Sequence, residues 1–276
     1  MASRKIIILL PAYNEEESIP LLLPKIFEVC KQLGYQFIFL VGEDGSKDQT
    51  AKILDEHKKI YPLIIIKHSL NRGLGETIRD LFEEAAKICQ PNDIIIRMDC
   101  DDTHEPKYIP LFIEKLNQGY DVVSASRFAK GGRQIGVNLY RGLISYCANL
   151  FMKVVFPISG FREYSCGFRA YQASIIKDAI LFFGNDFIQL KGLGFTCTLE
   201  KLVKLKMMGA RFAEIPFVLR YDQKKSSSKM VSSVTTLGYI ILAILFHWPW
   251  GGWKIIYKKR LKDYSRKNNK FAEKNS

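Results

Sequence analysis

The first half of the chain alternates short apolar runs with amphipathic stretches. Lys5–Leu10, Phe37–Val41, Leu63–Lys67, Ile94–Met98 and Asp121–Ala125 are mostly apolar runs of strand length. Between them, Glu15–Leu33, Asp48–Lys59, Gly75–Cys89 and Pro106–Gln118 read as helices. The third shows why: Ile78, Leu81, Phe82, Ala85 and Ile88 recur three and four apart. Pro20 and Pro24 make the start of the first helix irregular. Strands with continuous apolar faces, separated by helices, predict an α/β fold with a mostly parallel sheet buried on both sides. Right-handed crossovers then place the C-terminal ends of the strands on one edge, where such sheets bind ligands.

The second half is less regular. Tyr140–Phe156 and Phe195–Met208 read as helices, Arg211–Leu219 as a strand, and Tyr221–Lys229 as a polar, mobile loop. From Met230 to Trp253 the chain is uncharged apart from His247. This divides the chain into an α/β domain, residues 1–229, and an apolar, membrane-associated helix with a basic tail, residues 230–276. Leu237–Phe246 is strongly apolar and leads into Trp248, Trp250 and Trp253, the chain's three tryptophans. Tryptophan favours the bilayer interface. A span needs about 20 apolar residues, and a single crossing would separate the basic tail from the α/β domain, against the positive-inside tendency. A segment lying on or dipping into the cytoplasmic leaflet is the expectation. A true span and a core helix are the alternatives.

Composition narrows the class. With 47% hydrophobic and 25% charged residues the chain is a folded protein, not a disordered one. Lys and Arg number 41 against 28 Asp and Glu, a net charge of +13, which points to an anionic partner. Residues 251–276 hold nine Lys or Arg against Asp263 and Glu273, so +7 of the +13 sits in the tail, suited to an anionic membrane surface. The body is only mildly basic, and no nucleic-acid partner is expected. The six cysteines show neither C-x-x-C nor zinc-ligand spacing and read as reduced, mostly buried thiols. Ile6–Leu10 is too short for a signal peptide's apolar region and reads as a strand.

Every polar cluster of the first half follows an expected strand: Pro11–Glu15, Glu43–Asp48, Asn71–Gly75, Asp99–Asp102 and Ser126–Arg127. Five such loops on one edge make a cleft. Asp99 and Asp101, two apart, point the same way in an extended segment. They suit Mg²⁺ or Mn²⁺, which take one or two carboxylates plus substrate phosphates; a solvated acidic turn is the alternative. Gly73 and Gly75 before a helix fit either a phosphate-cradling loop or a tight turn. Glu43 and Asp44 fit either a capped turn or hydrogen bonds to a ribose and base.

In series, these loops resemble the family 2 GT-A glycosyltransferases, nearest to the branch of dolichol-phosphate mannose synthase and the bacterial polyprenyl-phosphate glycosyltransferases. The likeness runs from about Ile6 to Lys229. Its pieces are Pro11-Ala12-Tyr13-Asn14-Glu15-Glu16, Glu43-Asp44-Gly45-Ser46-Lys47-Asp48, Asn71-Arg72-Gly73-Leu74-Gly75, Asp99 to Pro106, Ser126-Arg127-Phe128 and Arg141. Ser165-Cys166-Gly167-Phe168-Arg169, then Arg220 with Ser228-Lys229, complete it. The resemblance implies a Rossmann-like GT-A sheet, a nucleotide-sugar donor (GDP-mannose or a UDP-hexose) and a lipid phosphate acceptor.

The resemblance also implies roles. Pro11, Tyr13, Glu15 and Asp44, with Glu43 and Gly73, would hold the nucleotide. Asp99 and Asp101 would hold the metal against the diphosphate. Arg127 and Arg141 would face the phosphates or the acceptor, and Arg220 and Lys229 would close over them. The sequence departs from the pattern at Glu43, where Asp is usual, at Thr103, where Gln is frequent, and at Glu163, where Asp commonly stands. A lipid phosphate is already anionic and needs no general base, so metal and cations would stabilise the departing diphosphate in a single inverting displacement. A hydroxyl acceptor would need a carboxylate base, with Glu163 and Glu200 as candidates. A non-catalytic nucleotide-sugar-binding membrane module is the remaining alternative.

Overall fold

The computed structural model describes residues 4–225 and 232–268. The first half folds in the expected order: β1 (Lys5–Ala12), α1 (Ile19–Gln32), β2 (Gln36–Glu43), α2 (Thr50–His57), β3 (Leu63–Lys67), α3 (Leu74–Ile88), β4 (Ile94–Arg97), α4 (Ile109–Asn117) and β5 (Val122–Ser126). There follow β6 (Arg133–Ile135), α5 (Leu139–Val155), β7 (Arg169–Gln172), α6 (Ala173–Phe183), α7 (Thr196–Met207), β8 (Phe212–Pro216), β9 (Val218–Arg220), α8 (Ser232–His247) and α9 (Gly252–Asn268).

Among the described residues, seven strands form one sheet in the order β3-β2-β1-β4-β7-β5-β8. All neighbours are parallel except β7, which runs antiparallel between β4 and β5. Period-two alternation splits β1 between two cores: Ile6, Ile8 and Leu10 face one layer, Ile7 and Leu9 the other. Each such side chain contributes about 1.5–3 kcal/mol on full burial. The expected strand Arg211–Leu219 divides at Phe217. β8 joins the main sheet, while β9 pairs in parallel with β6 in a small second sheet.

Strand β7 carries no apolar run that would mark it in the sequence. Its sequence is Arg-Ala-Tyr-Gln, and Arg169 pairs across the ladder with Arg97 of β4, both fully buried. The Arg169 guanidinium donates to Ser124 Oγ at 3.2 Å and to the carbonyls of Thr198 and Tyr164 at 2.8 and 2.7 Å. Such partners are what allow a charged group inside a sheet.

The C-terminal helices pack onto the body. Tyr239, Leu242 and Phe246 of α8 and Tyr257 of α9 enter the second core. The Tyr257 hydroxyl donates to Gln189 at 2.8 Å, and Arg260 pairs with Asp186 at 2.9 Å. Trp253 packs inward, but Trp248 and Trp250 are exposed. Lys254, Lys258, Lys259 and Lys262 face outward, and Lys270 and Lys274 lie outside the described residues. No single described helix is long and apolar enough to cross a membrane; α8 and α9, bent by 55° where they meet, are so only as a pair. No disulfide joins the six cysteines, and all but Cys147 are buried.

Candidate active site

The loops at the strand ends are stitched to one another. Asn14 takes a positive φ of 51°, which turns the chain sharply after β1. Its N–H donates to Ser46 Oγ at 3.0 Å, and its side-chain oxygen accepts from the Lys47 N–H at 2.8 Å. The Glu15 N–H donates to Thr50 Oγ1 at 2.8 Å. Together with the loops after β3, β4 and β5 they border a cavity of about 700 Å³. Pro11, Tyr13, Glu15, Asp44, Gly73, Asp99, Asp101, Arg127 and Arg141 all line it.

Two expected site residues do not. Glu43 turns into its own loop, where its buried carboxylate accepts from the Ser46 N–H at 2.6 Å. Arg220 pairs with Asp222 at 2.9 Å and lies 3.9 Å from Glu105, and it is not part of the cavity lining although Leu219 and Tyr221 on either side of it are. Lys229 lies outside the described residues.

Asp44 acts first as an internal anchor. One oxygen accepts from the Arg72 N–H at 2.9 Å and lies 2.7 Å from His68 Nδ1; the other accepts from the Gly73 N–H at 2.9 Å. The Gly73 amide therefore serves Asp44 rather than an incoming phosphate. Gly75 has a packing reason: a Cβ there would lie 2.3 Å from the Lys191 carbonyl. His68 continues the chain, with Nε2 at 3.0 Å from Asp80, and no local pattern in the sequence flagged it.

The acidic loop separates its three aspartates. Asp99 and Asp101 face the cavity, whereas Asp102, at φ 58°, turns away and pairs with Lys25 of α1 at 2.6 Å. The expected alternation came from an extended segment, but β4 ends at Arg97 and the loop bends immediately. Asp99 sits 2.6 Å from the buried Arg97 guanidinium. Gly167 makes room for that arginine: a Cβ there would fall 0.9 Å from Arg97 Nη1. His104 Nδ1 accepts from the Asp99 N–H at 3.0 Å, which leaves Nε2 to carry the proton. Burial lowers the His104 pKa, with Asp99 and Asp101 opposing, so the ring is neutral.

Asp101 Oδ1 accepts from the Thr103 hydroxyl at 2.6 Å, and Oδ2 pairs with Lys224. Burial pushes the Asp101 pKa up, but the Lys224 charge and the hydrogen bonds from Lys224 and Thr103 outweigh it, so the carboxyl stays below its ordinary value. Among the described residues no group of three or more His, Cys, Asp or Glu side chains is placed to hold a metal. Asp99 and Asp101 do provide two hard oxygen donors at one end of the cavity. That set fits Mg²⁺ or Mn²⁺ when donor phosphates and water complete the shell.

Arg127 is held more firmly than expected. Its Nε and Nη2 donate to Glu163 at 2.8 Å each, and Nη2 also donates to Ser165 at 2.8 Å. Glu163 is fully buried and does not line the cavity. Glu200 is also fully buried, accepting from the N–H groups of Gln189 and Leu190 at 2.9 and 3.0 Å and pairing with Lys204. Neither is in place to take a proton from an acceptor hydroxyl. Arg141, on the first turn of α5, donates to the Tyr221 hydroxyl at 2.9 Å. Lys191, which the sequence did not single out, joins the cavity wall while paired with Glu76 at 2.9 Å.

The cavity lining also includes the apolar side chains of Val137, Ile144, Ala148, Phe195, Leu219 and Val234. Helix α5 exposes Leu139, Tyr140, Leu143, Tyr146, Leu150 and Val154. Leu237, Ile240 and Ile244 of α8 add to the exposed apolar surface. Monomeric soluble proteins rarely leave large contiguous patches of this kind uncovered.

Residues 7–178 match the family model described as glycosyl transferase family 2. The chain belongs to glycosyl transferase family 2. Within the family it is 29% identical over 214 residues to a dolichol-phosphate mannosyltransferase of Pyrococcus furiosus, covering 77% of this chain and 56% of that protein. It is 33% identical over 176 residues to an undecaprenyl-phosphate 4-deoxy-4-formamido-L-arabinose transferase of Pectobacterium carotovorum, covering 63% and 50%. The chain thus spans about half the length of these relatives. In structure it resembles glucosyl-3-phosphoglycerate synthase of Mycobacterium tuberculosis, solved with Mn²⁺, UDP and glucosyl-3-phosphoglycerate. The TM-score is 0.56 at 16% identity, over 88% of this chain and 80% of that one. The shared architecture is the GT-A sheet with its flanking helices.

Proposed function

We propose that this chain transfers a hexose from a nucleotide-sugar donor to a polyprenyl or dolichyl phosphate at the cytoplasmic face of a membrane. One observation carries the reading: a single cavity is lined by the Asp99 and Asp101 carboxylates, by the Arg127, Arg141 and Lys224 cations, and by apolar residues that include Ile144 and Ala148 of α5, a helix whose other apolar side chains are largely exposed. A diphosphate and a lipid phosphate fit the charged groups, and a prenyl chain fits the apolar ones. Pro11, Tyr13, Glu15 and Asp44 line the nucleoside side. GDP-mannose and UDP-hexoses are the donors to try.

A bound Mg²⁺ or Mn²⁺, held by Asp99 and Asp101, would neutralise charge on the leaving diphosphate. The chain's own residues position the two anions. Arg141 is oriented by Tyr221, and Arg127 is fixed by Glu163. The placements of Glu163 and Glu200 favour an acceptor already ionised over one that must lose a proton. Displacement in one step inverts the anomeric carbon. Purified protein given radiolabelled GDP-mannose or UDP-glucose with polyprenyl phosphate is expected to form a chloroform-soluble, mild-acid-labile product of inverted configuration, and to stop when EDTA is added. A retained anomer, or full turnover under chelation, overturns the mechanism.

The same reading places α9 on anionic headgroups. Changing Lys254, Lys258, Lys259 and Lys262 together to Gln is expected to weaken binding to phosphatidylserine vesicles about a hundredfold or more, at about 1 kcal/mol per basic residue near an anionic surface. Vesicle sedimentation measures this. Unchanged binding removes the electrostatic part of the docking.

A further inference from the structure

The segment after β9 forms a strap that brings Tyr221 and Lys224 into the cavity wall, and three contacts fix its course. The Arg220 N–H donates to the Thr103 carbonyl at 3.2 Å. The Asp222 backbone passes so close to Gly136 that a Cβ there would lie 2.6 Å from its nitrogen. The Tyr221 hydroxyl accepts from Arg141 at 2.9 Å and its ring lies beneath that guanidinium. Held this way, the strap delivers the Lys224 ammonium onto Asp101 Oδ2, where the lysine side chain is only 11% exposed. The charges of Glu15 and Asp99 act on the same ammonium.

Carboxylates gathered in a partly desolvated site repel one another unless a cation stands among them. With Oδ1 accepting from Thr103 and Oδ2 paired with Lys224, neither oxygen of Asp101 lacks a partner. We infer that Lys224 is a tethered counter-ion: it occupies the cation seat at Asp101 in the donor-free protein and yields it when divalent cation and nucleoside diphosphate arrive. The inference rests on the metal-dependent transfer proposed above.

The cation must displace a positive group that is part of the chain, so it binds weakly alone. Diphosphate oxygens offer the displaced ammonium a new partner on the same cavity wall, so cation and diphosphate bind more tightly together than apart. Lys224 thereby guards the site against a cation without donor and adds positive charge once the donor is in place.

Mn²⁺ titration of the full chain, followed by electron paramagnetic resonance without nucleotide, tests the exchange. Apparent affinity is reduced by the fraction of molecules whose seat is taken, so Lys224→Met is expected to bind Mn²⁺ about tenfold more tightly than the parent. Lys224→Arg retains the charge and is expected to match the parent, which guards against a general effect of substitution. Lys191→Met removes a cavity-wall cation paired with Glu76 instead and is expected to change the affinity less than about twofold. GDP or UDP is expected to tighten Mn²⁺ binding more in the parent than in Lys224→Met. Equal Mn²⁺ affinity in parent and Lys224→Met, or an equal gain in Lys191→Met, overturns the counter-ion role. Failure of every variant to bind Mn²⁺ even with GDP and UDP overturns the metal site itself, and this inference with it.

Discussion

Asp101→Asn is expected to lower sugar transfer at least about a thousandfold, or ~4 kcal/mol of transition-state stabilisation. The change removes the charge of one of the two carboxylates proposed to hold the metal and leaves Thr103 an amide oxygen as acceptor. The hydrogen bond from Thr103 is kept, but Lys224 loses its counter-charge, so some stability is expected to be lost as well. Initial rates of lipid-linked product and a urea melt would show a large loss in the first and a drop in the second too small to unfold the protein under assay conditions. Asp102→Asn is the matched control from the same loop. Asp102 pairs with Lys25, whose side chain is half exposed, so its loss is expected to cost stability by about 1 kcal/mol or less after solvent screening and activity only a few-fold. Equal activity losses at Asp101 and Asp102 would count against the division of labour within the acidic loop.

The second large effect is on stability. Glu163→Ala is expected to destabilise the protein by about 3–5 kcal/mol, because it leaves the nearly buried Arg127 without its counter-charge. Glu163→Gln keeps the shape and part of the hydrogen bonding to Ser165 and the Cys166 N–H, so its loss is expected to be smaller. Burial pushes the Glu163 pKa up, but the Arg127 charge and the hydrogen bonds from Arg127 and Ser165 outweigh it, leaving it below the ordinary 4.5. A carboxylate depressed in the folded state stabilises fully above its unfolded pKa and loses that effect as the pH falls through the folded one. The difference between the parent and Glu163→Gln is therefore expected to be constant near neutrality and to shrink below about pH 4.5. Urea midpoints measured across that range check the sign; a difference that grows on acidification would contradict it.

The two substitutions mark different relations between sequence and structure. The loop after β4 was found from residue types and spacing, since a strand followed at once by clustered aspartates is a local pattern. Which aspartate faces the cavity was not local. Asp102 meets Lys25, 77 positions earlier, and its positive φ turns it away from Asp99 and Asp101. Glu163 stood out only as a departure from the family's usual Asp. Its bidentate bond to Arg127 joins residues 36 positions apart through the turn that leads into β7. Arg220 and Lys224 show the same limit at close range. Both are basic residues of one strap, yet the strap's path turns Arg220 onto Asp222 and Lys224 onto Asp101.

The chain's own pattern was enough for the alternating strands and helices of the first half, the edge on which their loops gather and the family to which they belong. Hydrophobic period, turn chemistry and the order of short motifs are properties of neighbouring residues. Only the tertiary structure decided the antiparallel β7, with its paired buried arginines, the separation of internal anchors from cavity-facing groups, and the apolar lining that α5 and α8 add to the cavity. Those features come from charges and surfaces meeting across long stretches of chain. Their energy depends on burial and partner distance, which no local pattern encodes.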